Sequence, residues 1–275
     1  MTLSCEHLTV AVGTRALCRD LKLTVATGEL WAVLGCNGSG KTTLLHTLAG
    51  LAMPAAGEVD VDGRPLAEYG RRELGRALGI LLQREDHEYW GTLSDYVKLG
   101  RYPHARSMFG PGAADEEAAC RAIAAFDLTA LAARPYATLS GGERQRARLA
   151  QLWAQDCSTL LLDEPLQHLD LRHQLQTLQL LRQVTRDDGK CAAVVLHDLT
   201  FASRCDRVLM LYGDGRYASG RTAELLQSHV LQALYGCRVH AYGTGANAHF
   251  IPLYNRSATN SSGCTSGAPL NLFYR

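Results

Sequence analysis

Three observations predict an α/β fold built around a mostly parallel β-sheet. Apolar runs of strand length recur at residues 30–34, 159–163, 191–196 and 207–212, as strands buried on both faces require. Segments with apolar residues at helical spacing lie between several of them, so strand and helix alternate along the chain. The first of these runs passes directly into a glycine-rich loop and then a helix, the opening of a parallel strand–helix–strand unit.

Each element has its local reason. Leu8, Val10 and Val12 alternate with polar neighbours and predict one half-buried strand; Leu21, Leu23 and Val25 predict another. Residues 30–34 form the first fully buried strand, and the loop from Gly35 to Gly40 follows it. Residues 41–49 read as a helix that Gly50 is placed to end. Residues 58–63 alternate and then turn at Gly63, which predicts a hairpin at a sheet edge. From about residue 91 to 155 alanines and leucines recur, with Ala118, Ile123 and Phe126 at helical spacing, and this predicts a mostly helical insert. A helix with Leu171, Leu175, Leu178 and Leu181 on its apolar face joins the strands at 159–163 and 191–196. Residues 255–268 are rich in Ser, Thr, Asn and Gly. The expected organisation is therefore one folded unit over 1–252 and a flexible tail over 253–275.

Composition narrows the function classes. Hydrophobic residues are 47% of the 275 and charged residues 20%, which rules out disorder over most of the length. The 28 basic and 27 acidic side chains argue against a large electropositive surface, so no nucleic-acid partner is expected. No apolar run approaches the roughly 18 residues of a spanning helix. The N-terminal residues lack the basic-then-apolar pattern of a secretory signal. Nine cysteines include no Cys-x-x-Cys pair. Reduced thiols in a cytoplasm are expected, not a disulfide framework or zinc ribbon.

Three stretches carry chemistry. Gly35, Cys36, Asn37, Gly38, Ser39, Gly40, Lys41 and Thr42 match G-x-x-x-x-G-K-[ST], with Thr43 next in the helix. Glycines let backbone N–H groups converge on phosphate oxygens, and the helix N-terminus adds partial positive charge. Lys41 can reach β- and γ-phosphates, and Thr42 can hold Mg²⁺. The second stretch is the apolar run ending in Asp163-Glu164. By itself such a run could be a strand meeting its turn; beside a phosphate loop, Asp163 at the sheet edge can hold Mg²⁺ through water and Glu164 can polarise an attacking water. In the third, Leu139-Ser140-Gly141-Gly142-Glu143, Ser140 and Glu143 form a capping box. Two glycines in a first helical turn make sense where backbone must approach an anion closely.

Together, and in this order, these stretches resemble the ATP-binding cassette (ABC) ATPases. The resemblance covers about residues 3–252 and takes in the phosphate loop, Gln83, the Leu-Ser-Gly-Gly-Glu signature, Asp163-Glu164, Leu169-Asp170 and His197. It implies a P-loop NTPase core with an antiparallel β subdomain and a helical subdomain over about 91–155. It implies ATP and Mg²⁺ as cofactors, with residues 35–43 around the nucleotide. Gln83 would sense Mg²⁺ and contact a permease, and His197 would contact the γ-phosphate. Asp170 would couple two nucleotide sites across a dimer, while Ser140 and Gly142 would bind the γ-phosphate held by the opposite subunit. The partners implied are a second cassette, transmembrane permease subunits and, indirectly, a periplasmic binding protein. The place implied is peripheral, at the cytoplasmic face of the inner membrane.

Three positions depart from the family pattern. The adenine-stacking aromatic falls near Val12, which cannot stack, and Arg15 is the substitute candidate through its planar guanidinium. Cys36 stands where the family often has proline, as a small unreactive residue or as a thiol open to oxidation beside the phosphates. His168 replaces the usual alanine, and the sequence supplies no reason for it.

The string Gly100-Arg101-Tyr102-Pro103-His104, and Leu171-Arg172-His173-Gln174 after Asp170, look like the importers of metal chelates: ferric siderophore, haem or cobalamin. An ordinary turn is the alternative for Tyr102-Pro103-His104. Residues 207–215, with a Gly213-Asp214-Gly215 turn, look slightly more like the cobalamin type. The rival class is a soluble ABC ATPase without transport. A coiled-coil member of that class needs heptads, which this sequence lacks.

Overall fold

A computed structural model describes residues 2–83, 89–105, 112–243, 245 and 248–253. In chain order the elements begin with β1 (Leu3–Val12), β2 (Arg15–Val25), β3 (Leu30–Leu34), α1 (Lys41–Leu48), β4 (Ala56–Val61), β5 (Arg64–Pro65), α2 (Arg71–Ala77) and β6 (Leu78–Leu81). The helical insert contributes α3 (Leu93–Lys98), α4 (Ala113–Ala125) and α5 (Gly141–Gln155). There follow β7 (Thr159–Asp163), α6 (Leu171–Arg186), β8 (Cys191–Val195), α7 (Leu199–Ala202), β9 (Arg207–Leu211), β10 (Tyr217–Arg221), α8 (Thr222–Leu225), α9 (Ser228–Tyr235), β11 (Arg238–Tyr242) and β12 (His249–Leu253).

The central sheet has six strands in the order β10-β9-β3-β8-β7-β6, parallel throughout except for β10 at one edge. Every residue of β3, β7 and β8 is buried, which is why these strands read as unbroken apolar runs. Alternate side chains then serve two cores. Leu30, Ala32, Leu160, Leu162 and Val194 join the core shared with α5 and α6. Trp31, Val33, Leu161, Ala193 and Val195 join the core shared with α1 and the second, antiparallel sheet. That sheet runs β2-β1-β4-β5. The α/β class and the antiparallel layer agree with expectation.

Corrections are local. The first strand begins at Leu3, not near Leu8, because the inward alternation breaks phase between Cys5 and Leu8. Register shifts on either side of the Leu8–Leu21 pair leave His7 at φ 51° and Asp20 at φ 52°, and His7 Nδ1 lies 2.5 Å from Asp20 Oδ1. Leu171 is not on the buried face of α6: it is 65% exposed at the first position, while Leu178 and Leu181 are buried. Leu253, expected in the tail, closes β12; the rest of the expected tail lies outside the described residues. The elements α8 to β12 were not anticipated.

The Gly100–His104 string is a packed junction, not a bare turn. A Cβ on Gly100 would lie 2.1 Å from the Gln151 carbonyl oxygen of α5. Arg101 pairs with Asp115 at 3.0 Å and donates to the Ala154 carbonyl at 2.7 Å. From α2, Arg76 donates to the Pro103 carbonyl at 2.7 Å. Gln155, at the end of α5, donates to the carbonyls of Gly75 at 2.6 Å and Leu78 at 3.0 Å. One end of the helical insert is thereby fastened to α2 and β6 of the core.

Candidate active site

The glycine-rich loop leaves β3 and enters α1 without a side chain capping the helix, so no side chain takes up its first-turn N–H groups. Gly35, Gly38 and Gly40 have φ of 155°, 74° and 101°. At Gly35 there is also no room for a side chain, since a Cβ would lie 2.5 Å from both the Leu211 carbonyl oxygen and Ser39 Oγ. Lys41 is buried, and its ammonium donates to the carbonyls of Gly35 at 2.8 Å and Cys36 at 3.1 Å. Burial pushes the Lys41 ammonium below its ordinary range, opposed by the Glu164 and Asp163 carboxylates.

Those carboxylates arrive from β7. Asp163 is 1% exposed; its oxygens meet no partner at full hydrogen-bond geometry, and the Thr42 hydroxyl stands beside them. Burial raises its carboxyl above the usual range, and the neighbouring Glu164 carboxylate adds to this, while Thr42, His46 and Lys41 pull the other way. Glu164 sits in the left-handed backbone region at φ 52°, a conformation that costs about 1–3 kcal/mol and collects at functional sites. His197, just past β8, places Nε2 2.7 Å from Glu164 Oε1, and Glu164 Oε2 is buried without a partner. Buried atoms without a full hydrogen bond collect in the loop and at the strand end that bear the site: Ser39 Oγ, both Asp163 oxygens and Glu164 Oε2; of these residues Glu164 lines the cleft, and Ser39 and Asp163 do not. Native interiors leave few such groups, and beside a cleft built for a charged ligand is where they belong. A carboxylate held ready beside the Thr42 hydroxyl fits Mg²⁺, a hard cation that takes oxygen ligands.

The cleft has a volume of about 710 Å³, and its walls include Asn37, Gly38, Gly40, Lys41, Thr42, Thr43, Gln83, Glu164 and His197. The single chain therefore brings most of the predicted residues to one place. Arg15 is in the wall as well, its Nε and Nη2 donating to the Gly213 carbonyl at 3.2 and 2.8 Å, which fixes the guanidinium plane. Val12 also lines the cleft. The Cys36 thiol turns to the Leu234 carbonyl of α9 at 3.3 Å.

Ser140, Gly142 and Asp170 do not line that cleft. Ser140 caps α5, accepting from Glu143 N at 3.3 Å while its own N–H donates to the Glu143 carboxylate at 2.7 Å, as the capping box predicts. That backbone donor holds the Glu143 carboxyl below its usual range. Asp170 caps α6, accepting from the His173 N–H at 2.9 Å, with His173 Nδ1 2.8 Å away. The contact near His168 explains Gly142 instead: the His168 carbonyl oxygen lies 2.9 Å from where a Cβ of Gly142 would be, while His168 itself has φ 62°. Gln167, between Glu164 and His168, lines the cleft and was missed. Its placement follows from the backbone turn at Glu164, where its N–H donates to the Glu164 carbonyl at 3.2 Å; nothing in its sequence neighbourhood signals this.

Residues 18–167 match the family model described as ABC transporter. The chain is 38% identical over 234 residues to the ferric enterobactin transport ATP-binding protein FepC of Escherichia coli K12, covering 85% of this chain and 86% of that protein. It is 38% identical over 262 residues to the hemin import ATP-binding protein HmuV of Burkholderia thailandensis, covering 88% and 96%. Among solved structures it is similar to a metal-chelate type ABC transporter in an inward-facing conformation, with a TM-score of 0.79, 29% identity, and coverage of 92% of this chain and 98% of that one. It is also similar to an ATP-binding cassette solved as a dimer bound to ADP and phosphate, with a TM-score of 0.72, 25% identity, and coverage of 80% and 98%.

Proposed function

The chain belongs to the ABC transporter family as an ATP-binding cassette, and from that premise we propose that it hydrolyses ATP to drive import of an iron chelate, a ferric siderophore or haem. One observation carries the hydrolytic half: Glu164 and His197 meet at 2.7 Å over the cleft that holds Lys41. The transport half is supported by the names of the relatives and by the metal-chelate transporter structure.

In this reading the N–H groups of the 35–43 loop and the Lys41 ammonium hold the β- and γ-phosphates. Thr42, Asp163 and Gln83 are the residues that would hold Mg²⁺, which when bound neutralises charge on the phosphate oxygens. Glu164 accepts a proton from the attacking water, and His197 stabilises charge on the γ-phosphate. His197 holds Glu164 through Oε1, which leaves Oε2 without a partner to accept the proton. Two copies pair head to tail, Ser140 and Gly142 of each completing the other's site, with Asp170 beside the junction.

The guanidinium of Arg15 forms the adenine platform where an aromatic is missing. Arg15→Ala should weaken ATP binding about two- to fivefold, the worth of an exposed cation–π contact. Calorimetric titration with MgATP checks this, and an unchanged Kd removes Arg15 from the role.

The permease is the other partner. Met53 and Trp90 are large side chains left almost wholly exposed on either side of Gln83 in the chain, and they would dock against it. None of the described helices is long and apolar enough to cross a membrane. The likeness to importer ATP-binding proteins supports our reading of the chain as a peripheral subunit at the cytoplasmic face, reaching the periplasmic binding protein only through the permease. Affinity purification of tagged Glu164→Gln chain from detergent-solubilised membranes, with ATP present, tests this. A polytopic permease should be retained in stoichiometric amount. Recovery of the chain alone, or with ribosomes or nucleic acid, would remove transport and leave hydrolysis standing.

A further inference from the structure

Arg148 has no part in the roles above, yet it occupies the crossing point of the site's supports. It lies on α5, two turns beyond Ser140, and is 8% exposed. Its Nη1 donates to Gln145 Oε1 at 3.0 Å, and its Nη2 donates to the backbone carbonyl of Leu82. Gln145, itself 5% exposed, donates through Nε2 to the Pro165 carbonyl at 2.9 Å. Leu82 immediately precedes Gln83, and Pro165 immediately follows Glu164. A continuous run of buried hydrogen bonds therefore joins the backbone beside Gln83 to the backbone beside Glu164. Both of its side chains stand on the helix that Ser140 begins.

We propose that Arg148 is a positioning residue, which through Gln145 locks the Gln83 loop and the Glu164 loop to α5. This rests on the reading of Glu164 as base. The planar guanidinium suits the task because it offers donors in two fixed directions at once, which an ammonium does not. Hydrogen bonds from a buried charged donor are also stronger than neutral ones. Docking of α5 against a second subunit then sets Gln83 and Glu164 together instead of one at a time. Gly142, packed against the His168 carbonyl at the start of the same helix, supplies the other point of contact with the Glu164 loop.

The test uses the full chain and four variants: Arg148→Met, Arg148→Lys, Gln145→Leu and the Arg148→Met/Gln145→Leu double. ATP turnover is divided by the number of nucleotide-competent sites, titrated with a fluorescent ATP analogue, so loss of folded protein does not enter the rate. Arg148→Met should lower kcat per site about tenfold or more, the scale of a misplaced catalytic group, with KM for ATP moved less than about threefold. Arg148→Lys should recover part of this. The double variant should be no worse than the worse single, because both act in one chain of bonds. An unchanged kcat per site in Arg148→Met, or losses that multiply in the double, would overturn the proposal. Should Arg148→Met fail to fold, Arg148→Lys and Gln145→Leu decide it on the same terms. A wild-type chain that hydrolyses nothing would overturn the function itself; an active wild type with unaffected variants overturns only the role of Arg148.

Discussion

Glu164→Gln should lower kcat for ATP by about 10²–10⁴-fold, the range spanned by general bases, and should accumulate an ATP-bound dimer. The amide keeps the shape of the carboxylate and remains within reach of His197, whose Nε2 lies 2.7 Å from Glu164 Oε1. It cannot take the proton from water. In the proposed reading binding falls to Lys41 and the 35–43 loop, so the affinity for MgATP should survive. Single-turnover hydrolysis with size-exclusion chromatography reads both quantities. A variant that turns over at the wild-type rate removes Glu164 as the base, whatever its dimerisation.

Asp163→Asn should change stability in opposite directions with and without nucleotide. In the chain by itself, Asp163 is a buried carboxylate with both oxygens short of a full hydrogen bond, and burial raises its pKa. A raised carboxyl favours the folded state only while protonated. That contribution is full below the unfolded carboxylate range and is lost as pH rises through the folded pKa. At neutral pH the neutral amide should therefore be the more stable, because it brings no charge into the buried site. Subtracting the variant's stability from the wild type's should leave a difference that declines as pH rises from the ordinary carboxylate range. With MgATP the order should reverse. Ligand at about 100 times its Kd stabilises a folded protein by about 2.7 kcal/mol, and an amide holds the divalent cation poorly. Thermal melts of both proteins across pH, with and without MgATP, give the four curves. An Asn variant less stable than wild type in the nucleotide-free melts would show that Thr42, His46 and Lys41 outweigh burial at Asp163 and would overturn the prediction.

Much of this site could be read before its coordinates, and the reason is local. The 35–42 loop and the buried strands at 30–34 and 159–163 depend on neighbours in sequence, where glycine content and unbroken apolar runs speak for themselves. The capping box at Ser140 is of the same kind. What could not be read depends on distant contacts or on broken periodicity. The bulge at His7 reverses the inward face of β1, so alternation counted from Leu8 misses Leu3 and Cys5. The β11–β12 pair is mostly exposed, and the apolar residues of β12 surround Pro252, which argues against a strand interior. Arg148 meets Leu82 across 66 residues of sequence, and as a letter it resembles any arginine of a solvated helix face. Asp170 reads both as a cap and as a residue at a subunit junction, and a single chain displays only the first.

The resting partners of Lys41 set what a ligand must bring to the cleft. Its ammonium is already occupied by two neutral acceptors, the carbonyls of Gly35 and Cys36. A ligand gains from this lysine only by offering something better, and charged phosphate oxygens make hydrogen bonds about twice as strong as neutral ones. Adenosine has no charged oxygen to exchange, so for it the buried cation would stay on its own backbone. The loop's own carbonyls thus act as an internal competitor that a ligand must displace, in addition to any steric fit.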